Sequence, residues 1–100
     1  MAQLVPAKRV TIFADRLLED VVLQQLEKLG ATGFTCTDCR GAGTHRVVQD
    51  LSVIAHRVRI ETIVTAEIAG AIIDFIESPV FSARAFTACV ETVEIPVKVS

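Results

Sequence analysis

The sequence predicts an α+β domain whose elements run in the order βαββαβ. Three observations predict it. Two short segments, residues 8–14 and 56–64, alternate along the chain with the period of two that a strand imposes. Each is followed by apolar residues at helical spacing, bounded by a capping residue before and a Gly or Pro after. A length of 100 residues fits one domain, residues 1–100, and leaves little room for a second.

Residues 8–14 (KRVTIFA) are β-branched and alternating and form the first strand. Asp15 is placed to cap a helix over residues 16–29, where Leu18, Val22, Leu26 and Leu29 recur on one face. Gly30 stands just beyond the last apolar position and ends it. Residues 33–40 (GFTCTDCR) form the second strand, with Thr35, Thr37 and Cys39 on one face and Phe34, Cys36 and Asp38 on the other. Residues 41–53 show no period and read as a flexible loop. In residues 56–64, Val58, Ile60, Thr62 and Val64 alternate against Arg57, Arg59, Glu61 and Ile63, which makes a third strand. Thr65 caps a helix over residues 66–77, striped by Ile68, Ile72 and Ile76 beside Ala69 and Ile73. Ser78-Pro79 stops it, and residues 83–97 close the chain as a strand interrupted near Pro96.

Right-handed crossovers fold this order into an antiparallel four-stranded sheet with both helices on one face, a ferredoxin-like sandwich. The second sheet face is left uncovered. Val10, Ile12, Phe86, Ala88 and Val90 are expected around it, and a bare apolar face predicts a closed symmetric oligomer.

Composition narrows the function. Hydrophobic residues make up 51% of the chain and the formal net charge is −2, which speaks against disorder and against general nucleic-acid binding. No run approaches the roughly 20 apolar residues of a membrane helix, and the start has no apolar signal region, so a cytoplasmic protein is expected. Cys36, Cys39 and Cys89 are an odd set, which fits reduced thiols. Cys36 and Cys39 match a CxxC spacing, but three residues along a strand point them to opposite faces. Small buried hydrophobes is their default reading, and metal or redox use with Cys89, His45 or His56 is the alternative. Neither a nucleophile–base arrangement nor a carboxylate pair stands out, so no enzyme and no metal site are expected.

Charge is unevenly spread. Residues 40–59 hold Arg40, Arg46, Arg57 and Arg59 against Asp50 alone. Beside them stands Gly41-Ala42-Gly43-Thr44, where glycines permit positive φ and let backbone N–H groups converge on an anion. Thr44 adds a hydroxyl and Arg46 a planar fork suited to phosphate oxygens. The same arginines also fit ordinary surface ion pairs, and the same glycines an ordinary turn.

Residues 30–43 (GATGFTCTDCRGAG) resemble the segment leading into the T-loop of PII signalling proteins. Residues 59–64 (RIETIV) resemble the strand leaving that loop, and residues 84–90 (RAFTACV) the family's fourth strand. The likeness covers residues 8 to 95. It implies a homotrimer with adenine nucleotides between subunits. It also implies that Thr35 approaches the adenine, Ile63 lines its pocket, and Gly41 and Gly43 bring amides to ribose and phosphate. Thr44 and Arg46 stand at the loop base, and Arg84 takes the place of a phosphate-binding lysine. The loop is shorter than in nitrogen-regulatory members and lacks their modified tyrosine. The GDGK-type loop gives way to residues 78–84 (SPVFSAR), and the C-terminal arginine pair is missing near residues 94–97.

The expectation is therefore a PII-like regulator of the short-loop kind linked to bicarbonate transport or carboxysomes. Its ligand is AMP, cyclic AMP or ADP rather than ATP, since too few cations remain for three phosphates. Residues 44–53 order on binding and signal to a membrane transporter, with bicarbonate a candidate second ligand. The rivals are a metal-responsive trimer of the divalent-cation-tolerance type and a small-molecule-binding allosteric domain.

Overall fold

The computed structural model describes residues 2–41, 55–79 and 86–97. Strand β1 (Leu4–Asp15) leads through a 3-10 turn (Arg16–Leu18) into helix α1 (Glu19–Leu29). Strands β2 (Thr35–Gly41) and β3 (Ala55–Val64), helix α2 (Ala66–Ile76) and strand β4 (Phe86–Pro96) complete the expected βαββαβ order. The sheet runs β2-β3-β1-β4, antiparallel throughout.

The core lies between the sheet and the two helices. Val10, Ile12 and Ala14 of β1, Val58, Ile60 and Val64 of β3, and Phe86 of β4 are buried there against Val22 and Leu26 of α1 and Ala69, Ile72 and Ile76 of α2. Each buried Val, Leu, Ile or Phe side chain contributes about 1.5–3 kcal/mol. Phe75 of α2 meets Phe86 with ring centroids 6.4 Å apart, which ties the second helix to the outer strand.

Local signals set the boundaries. The Asp15 carboxylate accepts from the Leu17 N–H at 2.9 Å, so it caps the 3-10 turn, and the α-helix begins three residues later than the apolar spacing predicts. Thr65 caps α2 by accepting from the Ile68 N–H. β1 starts at Leu4, four residues before the expected start, because Leu4–Ala7 pair with β4 beyond the end of β3. Pro6 is tolerated there, where β1 has a neighbour on one side only. β4 does end at Pro96, and the Val97 N–H donates to the Gln3 carbonyl at 2.9 Å.

The uncovered face differs from the expectation. Val10, Ile12 and Phe86 are buried under the helices, and register places Ala88 and Val90 on that same side. The bare face carries the other parity: Arg9, Thr11 and Phe13 beside Arg59, Glu61, Ile63, Cys89 and Glu91. It is a polar and charged surface, with Arg9 bonded to Glu91, Arg59 bonded to Glu61, and the Arg59 guanidinium 6.0 Å from the Phe13 ring centroid. The connection over residues 42–54, including Gly43, Thr44 and Arg46, lies outside the described residues, as does Arg84.

Gly30 closes α1 in the left-handed conformation, at φ 105°, where its N–H bonds the Glu27 and Leu26 carbonyls. A Cβ there would also stand 3.3 Å from Ile68 Cδ1. Gly30→Ala should therefore destabilise the fold by roughly 1–2 kcal/mol, read as a lower urea midpoint at unchanged slope. An unmoved midpoint would contradict the cap.

Candidate functional site

Where α1 hands the chain to β2, the segment of residues 31–34 crosses the end of β3 and leaves a cleft of about 310 Å³. Thr35 and Glu61, directly paired across β2 and β3, form one wall; Ile63 and Arg9, paired across β3 and β1, form the other. Phe34 stands at the rim, 42% exposed, and Ile63 is 49% exposed, so two large apolar side chains face solvent at a polar cleft. The rim is tied down from below. Thr62, 3% exposed, donates its hydroxyl to the Gly33 carbonyl at 2.6 Å. Past Ile63 the cleft continues into an apolar groove of about 430 Å³ between Val5, Ala7, Ile95 and the start of α2.

Of the residues expected at a binding site, the structure brings Thr35 and Ile63 together in this cleft. Gly41 stands elsewhere, at the far end of β2 opposite Ala55. Six residues of extended strand separate it from Thr35, roughly 20 Å. Gly41 does not need its glycine for backbone reasons: Gly30 is the only residue with positive φ among those described. What its missing side chain leaves is room for an approaching ligand, since a Cβ there would meet nothing nearer than Arg57 Cδ at 4.0 Å. Arg9 was missed by any reading of charge clusters, since it stands outside residues 40–59. Thr62 did carry a signal: it is the one hydroxyl in an otherwise aliphatic inward stripe, and such a group must find a partner.

The cysteines are free. Cys36 lies opposite Ile60, facing the helix side, and Cys39 opposite Arg57 on the bare face, as the spacing predicts. Cys36 is exposed rather than buried, and so is Cys89. Partial desolvation, then the carboxylates of Glu19 and Asp38, push the Cys36 thiol up, which favours the protonated form. Among the described residues no group of three His, Cys, Asp or Glu side chains is placed to hold a metal ion, and no helix is long and apolar enough to cross a membrane.

The profile of the nitrogen regulatory protein P-II family matches residues 7–96. The chain belongs to the PII family. It is 38% identical to a PII-like signalling protein from Thermus thermophilus, over 93% of this chain and 92% of that one, with a TM-score of 0.75. The fold is also that of CPII, a nitrogen regulatory PII-like protein from Thiomonas intermedia solved with ADP, AMP and bicarbonate. There the TM-score is 0.80 at 19% identity, over 97% of this chain and 100% of that one. The GlnK–ATP complex of B. subtilis is more distant, with a TM-score of 0.62 at 18% identity, over 88% and 82% of the two chains. No curated protein sequence matches. The chain is thus a PII-like regulatory protein with the family's antiparallel sheet and paired helices.

The Thr62 tether makes a prediction for this PII protein. Thr62→Val keeps the shape and loses the donor, which should cost about 1 kcal/mol in urea unfolding and speed amide exchange over residues 31–34. Thr62→Ser, which keeps the donor but loses a buried methyl, should restore the exchange protection. A Val variant with unchanged exchange there would show that the rim is held by something else.

Proposed function

We propose that this protein is a homotrimeric PII-like sensor that binds an adenine nucleotide between subunits. The observation that carries this reading is the separation of Thr35 and Ile63, which share a cleft, from Gly41, which lies about 20 Å along the same strand. A nucleoside monophosphate is too short to bridge those points within one chain. A site using both therefore takes the Thr35–Ile63 wall from one copy and the Gly41 end from its neighbour. Exposed Val5 and Ile63 line one apolar groove at this end of the sheet and supply surface for such an association.

In this reading Ile63 and Thr35 receive the base. Gly41 and Gly43 leave the backbone open to ribose and phosphate, Thr44 and Arg46 stand at the start of the connection, and Arg84 meets a phosphate. The ligand is AMP, cyclic AMP or ADP in preference to ATP, because Arg46 and Arg84 match two phosphates at most. The ADP and AMP of CPII support that choice, and its bicarbonate supports inorganic-carbon physiology, with bicarbonate as a second ligand. The connection between β2 and β3 relays the bound state to a partner in the cytoplasm, a membrane transporter of bicarbonate uptake or a carboxysome component.

Light scattering should give three times the chain mass of 10.8 kDa at micromolar concentration. Calorimetry should show AMP, cyclic AMP or ADP binding more tightly than ATP without magnesium. Arg46→Ala and Arg84→Ala should each weaken binding by roughly 1–3 kcal/mol if the contacts are charge-assisted. A monomer, or tighter ATP binding, would contradict the proposal.

A further inference from the structure

The cleft holds a cation that neither the clustered arginines nor the glycine-rich segment points to. Arg9 is 38% exposed, and its fork is already gripped on one edge by Glu91 of the outer strand. Nε donates to Glu91 Oε1 at 3.3 Å, and Nη2 donates to Oε1 at 3.0 Å and to Oε2 at 3.1 Å. A carboxylate that takes Nε and Nη2 in this way fixes the plane of the guanidinium and leaves Nη1 at the opposite end. Among the described residues nothing accepts from Nη1. The other charged group of the cleft, Glu61, is engaged by Arg59 Nε at 2.8 Å, so Arg9 is the donor with capacity left.

Such a group is set up for binding. A free arginine side chain gives up rotamer entropy when a ligand orders it. Here the Glu91 fork has ordered it beforehand, on a rigid strand, and Glu91 itself stays outside the cleft lining.

We infer that Arg9 donates through Nη1 to an acceptor atom of the bound nucleotide, a ring nitrogen or a phosphate oxygen, and that Glu91 is the positioning residue that aims it. This deepens the nucleotide reading above and rests on it.

Calorimetry with AMP and with adenosine tests it on the wild type, Arg9→Ala, Glu91→Gln and the double variant. Arg9→Ala should weaken AMP binding about 10- to 100-fold, as loss of a charge-assisted bond does. Glu91→Gln should weaken it several-fold, and adding it to Arg9→Ala should change nothing more, because it acts only through Arg9. Melting midpoints should stay near wild type, since a half-exposed pair adds little to folding. A merely structural pair would give additive losses or shifted midpoints instead, and that result overturns the inference. Equal losses for AMP and adenosine assign the acceptor to the nucleoside; a loss confined to AMP assigns it to the phosphate. AMP binding by Arg9→Ala within twofold of wild type overturns the role of Arg9 while leaving the nucleotide site standing. A wild type that binds neither ligand overturns both.

Discussion

The register of the central strand β1 governs both sides of the molecule. Side chains alternate across a strand, so fixing Val10, Ile12 and Ala14 beneath the helices also fixes Arg9, Thr11 and Phe13 on the bare face. A slip of one residue would bury Arg9 without its carboxylate and expose the core aliphatics, and that cost excludes it. Because β3 and β4 both pair with β1, the same choice sets Ile63 beside Arg9 on one side and Glu91 on the other. The cleft and its charged wall are thus a consequence of where the core aliphatics must go. The hydrophobic layer decides the address of every polar group on the other face.

A second constraint is the stiffness of an extended chain. Thr35 and Gly41 share β2 and cannot be brought together by any adjustment of it, since a strand advances about 3.3 Å per residue. Residues that a linear motif presents as one cluster are therefore two ends of a rod. In the proposed trimer a neighbouring copy supplies the missing half. Edge strands β2 and β4 are the flanks of the sheet, each with one neighbouring strand among the described residues, and assembly is one way to cover such flanks.

The order of elements and most of their ends were legible in the sequence because the deciding signals are local. Thr65 before α2, Gly30 after α1 and the alternation of residues 58–64 each act within a few residues. The side of the sheet on which Val10 and Ile12 lie was not legible from β1 alone, since the pattern states which residues share a face and not which face the helices cover. Of the candidate cleft, Thr35 and Ile63 were named through resemblance, and the structure places them on facing walls. Arg9 and Glu91 were not, because 82 residues separate them in sequence and the register between β1 and β4 brings them together. Thr62 lay between the two cases: its polarity was visible, while its partner on residue 33 depended on the path of the chain leaving α1.

In the proposed function the nucleotide base sits in the cleft at the start of β2. Amide and methyl shifts recorded while AMP is titrated into isotopically labelled protein read this placement residue by residue. Phe34, Thr35 and the Ile63 methyl groups should move together, saturating at one affinity. Saturating AMP that leaves these three residues unmoved, while shifting signals elsewhere, would contradict it.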